Sequence, residues 1–243
     1  YVTSLEHKMI PISDINPAKN IPIISRLFII VTALIFLFLT PKDGTELFTF
    51  FYKYAAIPCE IFNNNPLSMN QFYSNNCLLD PDVLIFENKN IRFSLFASLF
   101  LHANFFHVLG NLWSFWIFGN NIEDKLGKFR FCIFLFITGI ISLMFHVLLN
   151  AYNINPIVGS SGIVSALMGA YLYLFPNARL LVLVPFGVFF PTTLKAKYFM
   201  LFWLISQIFI ALQSNNISWE AHISGFIFGY FILKVFKYKR YTF

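Results

Sequence analysis

Three apolar stretches of the chain each carry side chains that could perform acyl transfer. Ser161 lies in the Gly-Ser-Ser-Gly sequence at 159–162, and His222 lies near the start of another apolar stretch. A serine hydroxyl is a weak nucleophile unless a neighbouring base accepts its proton during attack. A neutral imidazole can accept that proton and return it near neutral pH. We therefore predict Ser161 as a nucleophile and His222 as its base.

A third apolar stretch carries His107 and Asn111, which are four residues apart and share one face of a helix. Both side chains can donate hydrogen bonds. The backbone N–H of Ser161 is a further donor, because the first N–H groups of a helix lack helical partners and carry the positive end of its dipole. Together these groups predict a site that stabilises an oxyanion.

Simpler interpretations exist for each of these residues. The serines at 160 and 161 could merely cap a helix, while Gly159 and Gly162 allow close packing. The sequence is also not the G-x-S-x-G turn of soluble hydrolases. Any single polar residue here could be a satisfied side chain inside a membrane bundle.

A metal site built from His102, His107, His146 and His222 is a competing interpretation. The spacing is not H-E-x-x-H, and the apolar stretches hold no carboxylate beyond Glu220 at a boundary. We therefore predict no metal and no cofactor, and a structural role for His146. His102 is well round the helix from His107, so we expect it to hold the long first loop by a hydrogen bond.

The composition indicates which elements must position these groups. The chain is 58% hydrophobic and 12% charged, with a mean hydropathy of +0.67, which is typical of a polytopic membrane protein. A bilayer core of about 30 Å needs roughly 20 apolar residues per helix. The predicted fold is an all-α membrane bundle of six helices with a long loop, 41–92, between helices 1 and 2. The candidate spans are 24–40, 93–119, 129–149, 161–175, 196–213 and 219–236.

One membrane domain at 24–236 would follow a polar segment, 1–23, at the membrane surface and precede a basic tail, 237–243. With six spans, both termini lie on one side, which holds 13 of the 17 Lys and Arg residues. This asymmetry predicts that the termini are cytoplasmic. Because these cations flank spans and do not form one patch, the sequence argues against nucleic-acid binding.

The depth of the polar residues can be estimated from the spans. The span at 161–175 would extend only about 22 Å, so its outer end should start below the membrane surface. His107 lies 12 residues before Gly119, Ser161 lies 14 before Phe175, and His222 lies 14 before Phe236. The three side chains are therefore predicted at similar depth, in a site open to the non-cytoplasmic side.

Small residues recur every four positions on two of these spans. Ser161, Ser165 and Gly169 form one stripe, and Ala221, Gly225 and Gly229 form the other. Such stripes let two membrane helices approach closely, which would bring Ser161 and His222 together. Ordinary helix packing without catalysis produces the same pattern.

The three cysteines are few. Cys132 lies in the third span and is predicted to pack in the core. Cys59 and Cys77 both fall in the long first loop, where an oxidising compartment would permit a disulfide. Their positions alone leave that pairing open.

Taken together, H-x4-H-x3-N ending at Asn111, G-x-S-G around Ser161 and A-H-x-x-G-x-x-x-G around His222 resemble the rhomboid intramembrane serine proteases. The resemblance covers roughly 24–236. It implies that Ser161 and His222 form a catalytic dyad and that His107 and Asn111 line the oxyanion hole. It also implies that Arg92 is the arginine of the family's Trp-Arg loop motif.

Two positions depart from that pattern. Ile91 stands where the loop motif has tryptophan, and Ser165 stands where the family often has an aromatic residue that stacks on the catalytic histidine. The first departure concerns how the loop is anchored. The second concerns how His222 is oriented.

The prediction is thus a rhomboid-type serine endopeptidase that cleaves transmembrane proteins near the non-cytoplasmic face of a bilayer, by default the bacterial inner membrane. Residues 213–220 would form a cap over the site, and 196–213 a movable wall. The main alternative is an inactive rhomboid-like protein that binds membrane clients. A transporter or channel is less favoured, because inverted repeats and paired helix breaks are not evident. The oligomeric state is left open.

Overall fold

The computed structural model describes residues 9–16, 18–186, 188–213 and 218–236. Predictions for 1–8, for the basic tail at 237–243 and for 214–217 of the cap lie outside these residues. A π-helical turn, Ile35–Leu39, continues the first helix. The strands are β1 Ile10–Asp14, β2 Arg179–Phe186 and β3 Val188–Lys195, and the helices are α1 Ile23–Leu34, α2 Gly44–Tyr54, α3 Pro58–Asn63, α4 Met69–Tyr73, α5 Ile91–Ser98, α6 Phe105–Leu126, α7 Lys128–Leu149, α8 Ser161–Leu174, α9 Ala196–Gln213 and α10 Trp219–Ile232.

Helix α8 lies at the centre of the helical part of the molecule. It packs against α6, α7, α9 and α10, and every residue from Gly162 to Tyr171 is buried. A helix that is covered on all sides must be apolar all round, which explains why α8 has no polar face. Its neighbours contribute aromatic side chains that are fully buried, among them Phe115, Phe118 and Phe131.

Helices α8 and α10 touch backbone to backbone. A Cβ atom at Gly169, Gly225 or Gly229 would lie within 2.3 Å of a carbonyl oxygen on the opposite helix, so only glycine allows this approach. The resulting contact holds the start of α8 beside the start of α10. The facing oxygens belong to Phe226, Gly162 and Ala166 respectively.

The outer surface of the bundle carries many large apolar side chains. Phe38, Phe106 and Leu212 are each more than 70% exposed. Exposed apolar surface of this extent indicates a membrane or protein environment. Within the described residues, Lys128–Leu149 is the one helix both long and apolar enough to cross a bilayer, while Ile23–Leu39, Ser161–Leu174 and Ala196–Leu212 are shorter apolar helices.

The prediction of an all-α fold is wrong at one end of the bundle. Residues 176–195, which connect the predicted spans 161–175 and 196–213, contain the hairpin β2–β3, and β1 completes an antiparallel sheet in the order β1-β2-β3. Strand β2 is paired on both edges and reads as a continuous Leu/Val run without the alternation that would signal a strand. Pro191 lies on β3, an edge strand, where a missing N–H is tolerated.

The prediction of a single span at 93–119 is also wrong, because this segment forms two helices, α5 and α6. The side chain of Asn104 accepts a hydrogen bond from the N–H of His107 at 2.9 Å and so caps a new helix start. His102 consequently lies in the connection between the two helices and not on a helix face.

Helix α6 continues to Leu126 and does not end near Gly119 as expected. The extra turns bury Glu123, whose carboxylate accepts hydrogen bonds from the N–H groups of Ile24 and Ser25 at 2.9 and 2.8 Å. Glu123 therefore satisfies the first turn of α1, which has no side-chain cap of its own. These hydrogen bonds of Glu123 explain why the polar residues that follow Gly119 continue α6.

The long first loop packs around a small apolar cluster of its own, which includes Tyr52, Ile57 and Leu67. The structure joins Cys59 to Cys77 by a disulfide inside this cluster. Helices α2, α3 and α4 belong to this loop, so it is a folded unit and not a simple connector.

Candidate active site

The segment before Ser161 is held from two sides. The N–H of Ile157 donates to the carbonyl of Ala56 in the first loop at 2.8 Å, and the N–H of Gly159 donates to the carbonyl of Ser98 in α5 at 2.9 Å. The hydroxyl of Ser98 also accepts from the N–H of Ala56 at 2.7 Å. The first loop and α5 therefore fix the direction in which the chain enters α8.

Ser161 and His222 lie in contact. Ser161 is the first residue of α8, and its Oγ lies 2.8 Å from Nε2 of His222 near the start of α10. Both residues are half-buried, so the pair is accessible from outside the core. The helix cap is Ser160, which makes no side-chain capping bond. The hydroxyl of Ser161 is thus directed at an imidazole, as a nucleophile requires.

Helix α9 supports the other side of His222. Nδ1 of His222 lies 2.8 Å from Oε1 of Gln207, a side chain only 4% exposed. The ring of Trp203, one turn earlier on α9, has its centroid 6.3 Å from that of His222. Ser165 does not reach the imidazole, since its hydroxyl donates to the carbonyl of Ser161 at 2.7 Å. The sequence analysis missed Gln207, because α9 also contains Gln213 and nothing in the sequence shows which of the two amides faces His222.

His107 and Asn111 share one face of α6 and converge on Gly159, two residues before Ser161. A Cβ atom at Gly159 would lie 2.8 Å from Nε2 of His107 and 3.6 Å from Nδ2 of Asn111. Gly159 also has a φ of +124°, a backbone conformation that favours glycine. This residue therefore allows two polar side chains to approach the chain just ahead of Ser161.

Within the described residues, Nδ2 of Asn111 is buried and has no hydrogen-bond partner. An unpaired buried donor costs about 1–3 kcal/mol, so such groups usually have a functional explanation. A donor held ready for a charge that develops during a reaction is one such explanation. The arrangement around Gly159 can therefore stabilise an oxyanion.

His102 contacts the serine next to Ser161 and does not hold the first loop as expected. Its Nε2 lies 3.3 Å from Oγ of Ser160, and both side chains are fully buried. Its Nδ1 lies 3.0 Å from the carbonyl of Phe100, and its ring meets that of His107 edge to face. The break between α5 and α6 is what places His102 there.

Arg92, predicted to anchor the first loop, is exposed in the first turn of α5. The cation that enters the loop is Lys89, which forms a buried ion pair with Glu60 and donates to the carbonyl of Tyr52 at 2.7 Å. Burial raises the pKa of the Glu60 carboxyl, because its loss of solvent outweighs the attraction of Lys89. The sequence alone does not show that Lys89 is buried and that Arg92, three residues later, is exposed.

Two further residues hold α10 against α7. Nδ1 of His146 lies 3.1 Å from the carboxylate of Glu220, and the side-chain amide of Asn150 donates to the same carboxylate at 3.1 Å. Glu220 precedes His222 by two residues, so this contact fixes the start of α10. In the part of the chain that the structure describes, no three His, Cys, Asp or Glu side chains are grouped as metal ligands.

Comparison with known proteins places this site in a wider context. Residues 89–239 match the Rhomboid domain family. The chain is 27% identical over 160 residues to Rhomboid protein 1, mitochondrial, from Saccharomyces cerevisiae, an alignment covering 61% of this chain and 44% of that protein. It is 32% identical over 133 residues to Rhomboid protease GlpG from Yersinia pseudotuberculosis and from Yersinia pestis, covering 55% of this chain and 44% of each relative. The chain thus matches less than half the length of these relatives.

Proposed function

Because the chain belongs to the rhomboid family, we propose that it is an intramembrane serine endopeptidase that uses a dyad of Ser161 and His222. The observation that carries this proposal is the 2.8 Å separation between Oγ of Ser161 and Nε2 of His222 at the start of α8. Nucleophile and base within hydrogen-bond reach are the arrangement that covalent catalysis needs. The substrates would be transmembrane proteins, cleaved near the non-cytoplasmic face.

In the first half of the reaction, Oγ of Ser161 attacks the peptide carbonyl carbon while its proton passes to Nε2 of His222. The carbonyl oxygen gains negative charge, which the backbone N–H of Ser161, the amide of Asn111 and the imidazole of His107 stabilise. The tetrahedral intermediate then collapses, the C–N bond breaks, and the proton on His222 goes to the leaving amine. An acyl ester on Ser161 remains.

In the second half, water attacks the ester carbonyl and loses a proton to His222. The same donors stabilise the second oxyanion. When the ester C–O bond breaks, the proton on His222 returns to Oγ of Ser161, and the product leaves as a carboxylic acid that loses its remaining proton to water. Both halves of the proposed reaction use only side-chain and backbone groups of this chain and water, so the proposed reaction needs no cofactor or metal.

We propose that 24–236 form a six-helix membrane domain, with α1, α6, α7, α8, α9 and α10 as its core helices and 41–92 as a long extramembrane loop. The exposed apolar side chains of α1, α6 and α9 support contact with a lipid bilayer. The distribution of Lys and Arg supports cytoplasmic termini, with the bacterial plasma membrane as the proposed location. Helix α9 would be a movable wall, and 213–220 a cap.

Labelling with a serine-directed fluorophosphonate in detergent micelles tests the nucleophile. We expect the full chain to be labelled, the Ser161→Ala variant to remain unlabelled, and the matched Ser160→Ala variant to be labelled, because Ser160 is fully buried. Labelling of Ser161→Ala at the wild-type level would refute the assignment of Ser161. A folded wild-type chain that is neither labelled nor able to cleave a panel of transmembrane reporters would favour an inactive rhomboid-like binder.

A further inference from the structure

We infer that Gln207 is a positioning residue that holds His222 in the tautomer able to deprotonate Ser161, an inference that rests on the proposed function. Oε1 of Gln207 lies 2.8 Å from Nδ1 of His222, on the opposite side of the ring from Ser161. The dyad would thereby have a third member, contributed by α9. The members would be a serine, a histidine and a neutral amide.

The orientation of the Gln207 amide follows from its other contacts. Its Nε2 donates to the hydroxyl of Ser206 at 3.3 Å, and that hydroxyl in turn donates to the carbonyl of Trp203 at 2.6 Å. The Ser206 hydrogen is therefore used, and its oxygen is free to accept from the amide. This chain leaves Oε1, and not the amide nitrogen, facing His222.

The identity of that atom determines the tautomer of the imidazole. A carbonyl oxygen only accepts hydrogen bonds, so the 2.8 Å contact requires a hydrogen on Nδ1 of His222. In a neutral imidazole the other nitrogen then carries a lone pair, and Nε2 is the atom that faces Oγ of Ser161. With the opposite tautomer, Nε2 would carry hydrogen and could not accept the proton of the serine.

The position of Gln207 fits such a role better than a general packing role. It is 4% exposed, whereas Ile208 beside it is 53% exposed. A buried amide is costly unless its polar atoms are paired, and here both ends are. An amide also orients the ring without introducing a charge into a proposed membrane span, where a carboxylate would be expensive.

Cleavage kinetics in proteoliposomes test the inference with a matched set of variants. Gln207→Met keeps the length of the side chain but removes the acceptor, and Gln207→Glu keeps an acceptor oxygen. Ile208→Met serves as the control on the outward face. We expect Gln207→Met to lower kcat by about 10- to 100-fold with KM unchanged. This loss is smaller than most of the roughly 10²- to 10⁴-fold that a positioned base contributes, because the base would be misdirected and not removed. Gln207→Glu should retain most of the activity, and Ile208→Met should match the wild type.

Nitrogen NMR of the imidazole tests the tautomer without relying on activity. In the full chain labelled with ¹⁵N-histidine, the resonances of His222 are assigned by their loss in His222→Ala. We expect hydrogen on Nδ1 in the wild type and a mixture of tautomers in Gln207→Met. Hydrogen mainly on Nε2 in the wild type would overturn the inference.

Two kinetic results would also overturn it: wild-type kcat in Gln207→Met, and equal losses in Gln207→Met and Gln207→Glu with the fold intact. A wild-type chain without peptidase activity would refute the proposed function alone, because the NMR result still decides whether Gln207 sets the tautomer. The two failures are therefore distinguishable.

Discussion

Two consecutive serines each meet a histidine, and the two pairs differ in almost every respect except residue type. Ser161 and His222 lie 2.8 Å apart, and both are half-buried. Ser160 and His102 lie 3.3 Å apart, and neither has any solvent exposure. A search for serine–histidine contacts alone would find both pairs.

The difference lies in what surrounds each imidazole. Nδ1 of His102 is tied to the backbone carbonyl of Phe100 in the break before α6, so this ring belongs to the framework that holds the segment ahead of α8. Nδ1 of His222 contacts Gln207 from a separate helix, and its Nε2 faces the hydroxyl of the half-buried Ser161. Solvent access and the second partner of the imidazole, more than the serine–histidine contact itself, distinguish the proposed catalytic pair from the buried one.

Removing the base should have the largest effect on cleavage. In His222→Ala, Ser161 would lose the proposed acceptor of its proton, and we expect kcat/KM to fall by at least about 10³-fold. Cleavage of a transmembrane reporter in proteoliposomes measures this. Thermal unfolding of the same sample should show that the fold persists. Activity within about tenfold of the wild type would contradict the assignment of Ser161 and His222 as the catalytic pair.

Removing the unpaired donor should have the next largest effect. In Asn111→Ala we expect kcat to fall by about 10²-fold with KM little changed, because the amide acts only when negative charge develops. Asn111→Asp is the informative comparison, since it has similar size but cannot donate when ionised. A loss confined to KM would show that Asn111 binds substrate in its ground state.

A methyl group at Gly159, just ahead of the two serines, should have an intermediate effect. Gly159→Ala introduces a Cβ atom 2.8 Å from His107 and strains a backbone with a φ of +124°, at a cost of about 1–3 kcal/mol. If roughly 1.4 kcal/mol of that cost falls on the transition state, activity drops about tenfold. Gly110→Ala is the matched control on α6, because its Cβ would meet open space. Equal activity in both variants would contradict the close approach at Gly159.

Breaking the buried pair should change stability more than rate. His102→Ala leaves Ser160 without its partner, and we expect the free energy of unfolding to fall by about 1–3 kcal/mol. The value of kcat/KM should stay within about fivefold of the wild type. Chemical denaturation in micelles and reporter cleavage measure the two quantities. A loss of activity as large as that of His222→Ala, with stability unchanged, would assign His102 to the chemistry.

The features that could be predicted from the sequence are those for which local geometry requires one residue type. A helix start at Ser161 and the glycines at 225 and 229 follow from local rules, and the structure has both a helix beginning there and close contact at those glycines. The motif spacing also led to the rhomboid family, which the match over residues 89–239 supports. Which of these side chains perform catalysis remains a prediction.

Other features depend on contacts between distant parts of the chain. Gln207 becomes informative only once α9 lies against α10, and Lys89 differs from Arg92 only in whether it is buried. The helix break before Asn104 was hidden because the residues around it are as apolar as a continuous span. Strand β2 was hidden because a strand paired on both edges has no polar face to produce an alternating pattern.

The sheet at the far end of the bundle has a consequence for how the chain is made. Leu183, the partner of Ile10, follows it by 173 residues (183 − 10), so β1 leaves the ribosome long before the hairpin that pairs with it. At about 5–20 residues per second, β1 waits roughly 9 to 35 s without a partner strand. During that interval α1, the first loop, α6, α7 and α8 are all synthesised. Strand β1 can therefore pair with the β2–β3 hairpin only after α8, the helix that carries Ser161, has been synthesised.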